Sequence, residues 1–155
     1  MNNSLQTLEC LKTYSLIFIP LILGFLINTP IFGYVFPFPF SILFLAFWFW
    51  VGVKFAKLNV GKAYSFLIGN SLTIITFILY IWSFFMVSDA NRNFLIAAIS
   101  QSYAIPTASI SARIYSLTNP QVFTNEYVII SYLLMLLVFT AGFLYELKKA
   151  IDSTD

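Results

Sequence analysis

Asp89, Arg92, Arg113 and Glu126 fall within one stretch of an otherwise apolar chain. Two carboxylates and two guanidiniums could form a small polar site, and they are the groups a membrane enzyme would have to use. A protease, a phosphatase or a metal-dependent lipid enzyme needs more. The chain has no histidine and one cysteine, Cys10. It therefore lacks the usual zinc ligands and any Cys–His nucleophile pair. Two carboxylates without a histidine make no recognisable catalytic set. We expect no catalytic residue, no cofactor and no metal. The four charges read as solvated loop residues, with Glu126 opening a helix where the dipole favours an acid.

Hydroxyls and glycines form a second set. Gly61, Ser65, Gly69 and Thr73 recur every four residues, and Thr76, Tyr80 and Ser83 continue in steps of three or four. At about 100° per residue they lie on one slowly drifting helix face. Small residues let helix backbones approach closely, and hydroxyls bond across the contact. The other use of such a face is a wet pathway; tight packing is the commoner one. Pro20, Gly24 and Asn28 make a shorter stripe. Proline bends a helix, glycine admits a neighbour, and an amide in apolar surroundings needs a partner. Asn70 is the other embedded amide, and it should lie too far along the bundle to meet Asn28. Cys10 reads as an interfacial residue, with lipidation of a juxtamembrane cysteine as the alternative.

The elements that hold these residues are set by an extreme composition. Of 155 residues, 60% are hydrophobic and 9% charged. An ordinary soluble domain carries about 25% charge, so lipid must be the solvent for most of this surface. The stretch FPFPFSILFLAFWFWVGVKFAK, residues 36–57, has no charge before Lys54. It predicts a span over about 38–55, with Pro37 and Pro39 at its start. Trp48 and Trp50 are expected at the interface near its lysine-bearing end. Further spans are predicted over about 14–34, 63–87 and 127–147. The first is too long for a signal peptide and has no small-residue cleavage site after it. The eighteen phenylalanines suit lipid-facing surface and inter-helix gaps.

Residues 94–117 are long enough to span but carry Ser100, Gln101, Ser102, Thr107, Ser109, Ser111 and Arg113. They would make a fifth span only if protein neighbours buried the polar face. Charge decides between the two counts, because cytoplasmic loops hold the excess of Lys and Arg. Four spans place Lys12, Lys54, Lys57, Lys62, Lys148 and Lys149 inside, against Arg92 and Arg113 outside, which is six to two. Five spans give five to three, with Lys148 and Lys149 on the wrong side. The expected fold is thus an all-α integral membrane protein, residues 1–155 as one polytopic domain. It would be a four-helix transmembrane bundle with a partly helical outer segment, residues 88–126. Within that segment a helix is expected from Asn93, a possible N-cap, to about Ser102, broken by Pro106.

With so little chemistry, the expected role is a non-enzymatic accessory, regulatory or immunity-type subunit acting through helix–helix contacts in a membrane complex. The alternative is a self-assembling channel, small transporter or holin-like pore lined by the hydroxyl face of the third span. Mid-span charges, which usually mark proton or ion paths, are absent. The partners expected are the lipid bilayer and another membrane protein or a second copy, with no nucleic acid, since a net charge of +2 is scattered rather than striped. The location expected is the cell membrane, multi-pass, with both termini cytoplasmic.

Overall fold

The computed structural model describes residues 3–29, 37–118 and 125–153. They form six α-helices: α1 (Asn3–Ser15), α2 (Ile19–Ile27), α3 (Pro37–Lys57), α4 (Lys62–Ile81), α5 (Phe94–Thr118) and α6 (Glu126–Asp152). No strand occurs among the described residues. Among the described residues four stretches are long and apolar enough to cross a membrane: Thr7–Ile27, Phe38–Lys57, Lys62–Met86 and Glu126–Asp152.

The first of these starts earlier and ends earlier than the sequence suggests. Its helix stops at Ile27 rather than Tyr34, and residues 30–34 of the expected span lie outside the described ones. Thr29 precedes Pro30, and a residue before proline is pushed out of the helical region. The Thr29 hydroxyl donates to the Leu26 carbonyl at 2.6 Å and closes the end. Nor is this stretch one uniform helix. A 3₁₀ turn, Leu16–Phe18, joins α1 to α2. Pro20 follows in the first turn of α2, a position that proline tolerates. At its far end α4 widens into a π turn, Trp82–Met86.

Contacts along the helices fix their directions. On α4 and α6, Phe66 meets Phe143 (5.3 Å between ring centroids), Phe77 meets Tyr132 (5.1 Å), and the Tyr80 hydroxyl donates to the Asn125 carbonyl at 2.7 Å. Numbers rise on one helix as they fall on the other, so the two are antiparallel. Helix α3 runs parallel to α6: Trp48 Nε1 donates to the Met135 carbonyl at 3.1 Å, and Lys57 pairs with Glu146 at 3.5 Å. Helix α1 approaches the same end of α3, with the Tyr14 ring 6.0 Å from that of Phe55. The start of α1 and the end of α6 therefore share one end of the bundle with Lys54, Lys57 and Lys62. Tyr80 and Asn125 mark the opposite end.

The α3–α6 contact is the most extensive. A methyl group on Gly52 would overlap the Phe139 carbonyl, and one on Gly142 would overlap the Phe49 carbonyl. The two glycines thus let the backbones touch. Around them Trp48, Phe55 and Phe139 pack ring against ring, with centroids 5.6–5.9 Å apart. Trp48 is 0% exposed, so it belongs to this core and not to the interface. Its indole finds a partner in the Met135 carbonyl, which removes the reason for a wet end. Trp50, on the other side of α3, is exposed.

Candidate functional site

The polar residues converge on α5. This helix was expected to stop near Ser102; it instead runs unbroken through Pro106 for 25 residues. Asn93 starts it, its side-chain oxygen accepting from the amides of Leu95 (3.0 Å) and Ile96 (3.2 Å). Pro106 has no amide for the Ser102 carbonyl one turn back, and its ring pushes that carbonyl aside. The neighbour at that carbonyl is α2. Gly24 of α2 sits so close that a methyl group there would overlap the Ser102 oxygen. Asn28 Nδ2 donates to Ser102 Oγ at 3.3 Å. The first-span stripe therefore has its partner in α5.

The polar face of α5 turns into protein. Ser100, Ser102, Thr107 and Ser111 are each 0–1% exposed. Tyr103, fully buried, donates to the Ile17 carbonyl at 3.2 Å and shares a hydrogen bond with Thr73 at 3.2 Å. In the 3₁₀ pattern of Leu16–Phe18 the Ile17 carbonyl would accept from residue 20, a proline with no amide; the Tyr103 hydroxyl supplies a donor. Tyr132 of α6 donates to the Ser100 carbonyl, and its ring stacks on Tyr103 at 6.3 Å. Toward its other end α5 bonds α3 through Ser41 and Ser109 at 2.6 Å.

Both ends of α5 lie at one end of the bundle. Arg92, just ahead of it, donates to the Ser83 carbonyl at 3.0 Å. Tyr115, near its C-terminus, donates to Glu126 at 2.6 Å, where α6 begins. Glu126 follows Asn125, which is bonded to Tyr80. So α5 begins and ends at the end opposite the lysines, with its middle sunk between α2, α3, α4 and α6. It is not a fifth end-to-end crossing.

On α4, Ser65, Gly69, Thr73, Thr76, Tyr80 and Ser83 are all buried. Ser65 donates to the Phe55 carbonyl, and the Phe139 ring lies against Gly69. Thr76 donates to the Leu72 carbonyl at 2.6 Å. Gly61 does not belong to this face. It is exposed and precedes the helix as its N-cap, with ψ of 128°. Asn70 donates to the Phe66 carbonyl at 3.1 Å and does not meet Asn28. Among the described residues, three buried polar atoms lack a partner: Asn70 Oδ1, Ser83 Oγ and Ser111 Oγ.

The four charged candidates do not form one site. Arg92 pairs with Asp89 and lies 4.5 Å from the centre of the Phe84 ring. Arg113 covers Phe38 at 4.0 Å. Glu126 is held by Tyr115. Each guanidinium rests on an aromatic face, which offsets part of its desolvation. Sequence reasoning missed Tyr103, Tyr132, Gly52 and Gly142. A glycine inside a spanning helix costs helix stability and so asks for a packing reason. That signal was present for Gly52 and Gly142; for the tyrosines none was.

No protein-family model, no curated protein and no solved structure matches this chain.

Proposed function

We propose that this chain is a non-enzymatic, multi-pass protein of the cell membrane, acting through helix–helix contacts as an accessory, regulatory or immunity-type subunit of a membrane complex. One observation carries the reading: the hydroxyl faces of α4 and α5 are filled by the chain's own atoms, with Phe139 against Gly69 and Tyr103 between Thr73 and Ile17. What the chain offers outward is apolar, including Leu67, Ile74 and Ile78 on α4 and Leu133, Leu137 and Leu144 on α6. In lipid such faces gain nothing from the hydrophobic effect, so shape-specific packing would select a partner. The gathering of six lysines at one end supports a cytoplasmic setting for both termini under the positive-inside rule.

A self-assembling channel, transporter or pore is the second reading. It is favoured by the unpartnered Asn70 Oδ1, Ser83 Oγ and Ser111 Oγ, which water would satisfy. Gentle extraction through a C-terminal tag, with mass analysis of the complex, separates the two. A stoichiometric foreign partner supports the subunit. A homo-oligomer whose conductance changes in Thr73→Val or Ser83→Val supports the pore. A lone monomer overturns both.

A further inference from the structure

Two cavities lie along one seam, where α1 and α2 pass α3. The first, about 780 Å³, opens at the lysine end and is lined by Lys12, Lys54, Lys57 and Trp50, with the Glu9 carboxylate also at its wall. The second, about 220 Å³, is apolar and lined by Ile19 and Leu23 of α2 and Phe40, Leu43, Phe44 and Phe47 of α3. They are consecutive. Leu16 and Trp50 border the first, and Ile19 and Phe47, one turn further along each helix, border the second. Toward the far end α5 packs against both helices, Ser102 against Gly24 of α2 and Ser109 bonded to Ser41 of α3.

We propose that this seam holds one anionic phospholipid, its phosphate between Lys12 and Lys54 and an acyl chain along the phenylalanine-lined groove. The proposal rests on the membrane reading above. Charge selects the occupant. Lys57 is engaged by Glu146. Among the described residues neither Lys12 nor Lys54 has a carboxylate at ion-pair distance. Lys54 instead stands 5.1 Å from the centre of the Trp50 ring, an arrangement that leaves its ammonium free to bond a phosphate. An exposed tryptophan beside lysines sits at headgroup level. Basic pockets between membrane helices on the cytoplasmic side suit anionic headgroups. Length agrees as well. From Lys54 to Phe40 is 14 residues of α3 (54 − 40), about 21 Å of rise. One hydrocarbon leaflet is about 15 Å, so the seam spans a headgroup and most of a chain.

The test uses the full chain, delipidated in detergent and titrated with phosphatidylglycerol or phosphatidylcholine, with bound lipid counted by native mass spectrometry. One phosphatidylglycerol should bind at least tenfold more tightly than phosphatidylcholine, and excess inorganic phosphate should not displace it. The double variant Lys12→Gln, Lys54→Gln should lose about 25-fold for phosphatidylglycerol, roughly fivefold per lysine, and little for phosphatidylcholine. Leu23→Trp, which fills the groove, should weaken both lipids. Lys148→Gln with Lys149→Gln, which removes charge off the seam, should change neither. Equal affinity for the two lipids overturns the proposal, as does an equal loss in the off-seam variant or no loss in the lysine pair. Unaltered helical circular dichroism and elution volume show that a loss is not unfolding, and the lysine pair stands as the test if Leu23→Trp fails that control. A chain that stays dispersed in water without detergent would instead sink the membrane reading, a separate result.

Discussion

Gly52, Gly69 and Gly142 differ from Gly61 in what a side chain would meet. Beside the first three lie the Phe139 carbonyl, the Phe139 ring and the Phe49 carbonyl. Beside Gly61 the nearest outside atom is the Tyr64 Cβ, 3.9 Å from an added methyl group. Gly142→Val should therefore force α3 and α6 apart. Overpacking of this kind costs about 1–3 kcal/mol, and contact with rigid backbone places this case at the upper end. Gly61→Ser should do the reverse. Its φ of −51° and ψ of 128° suit any residue, and serine is a slightly better N-cap than glycine, by a few tenths of a kcal/mol. Thermal unfolding of the purified protein in one detergent checks both: a clear drop for Gly142→Val, no drop for Gly61→Ser. The four-residue spacing grouped Gly61 with Gly69 because periodicity cannot show where a helix begins. Gly52 and Gly142 escaped notice for the opposite reason. Neither belongs to a long four-residue repeat of small residues: Gly52 has only Ala56 one turn on, and Gly142 has Val138 and Glu146 one turn either side.

At the scale of elements, the spanning helices were legible because bilayer thickness sets their length and few residues interrupt the apolar runs. Helix α5 was legible only at its start. Two local rules argued against its second half, a proline in the interior and a run of hydroxyls, and both were overridden by neighbours the sequence does not place beside it. Gly24 leaves room for the Ser102 carbonyl, and Ser100 and Thr107 turn back to the Ala97 and Ala104 carbonyls at 3.0 and 3.1 Å. Tertiary packing wins over propensity here because Tyr103, Ala104, Pro106 and Thr107 are buried against other helices, which offsets a proline cost of about 3 kcal/mol. The start of α5 has no such support. Asn93 is exposed, and its cap is local. Asn93→Ala should cost about 1 kcal/mol and speed amide exchange at Leu95 and Ile96 about fivefold, with Tyr103 and beyond unchanged. Equal acceleration along the whole helix would mean that α5 opens as one unit and that its seating, not its cap, sets its stability.

At the scale of the molecule, the direction of each helix constrains the topology more tightly than hydropathy does. Helices α3 and α6 run parallel and α4 runs antiparallel to both, so the segment between α4 and α6 must return to the end it left. The bonds from Arg92 to Ser83 and from Tyr115 to Glu126 put both ends of α5 there. A membrane-impermeant maleimide tests this in intact cells, in a Cys10→Ser background with one new cysteine at a time. Asp89→Cys and Ser116→Cys, at exposed positions flanking and ending α5, should label together from outside. Thr7→Cys and Lys149→Cys should label only after the membrane is opened. Labelling at 89 without 116 would make α5 a crossing, and the shared-end geometry would fall. Labelling of 7 and 149 in place of 89 and 116 would keep the bundle and invert it, so that the lysine-rich end faced outward. The second outcome is the costlier one for an electrostatic account of orientation. Six lysines gather at that end, one of them, Lys57, paired with Glu146, against two arginines opposite, of which Arg92 is paired with Asp89. Under the positive-inside rule that excess would set the lysine end on the cytoplasmic side, and the labelling decides it.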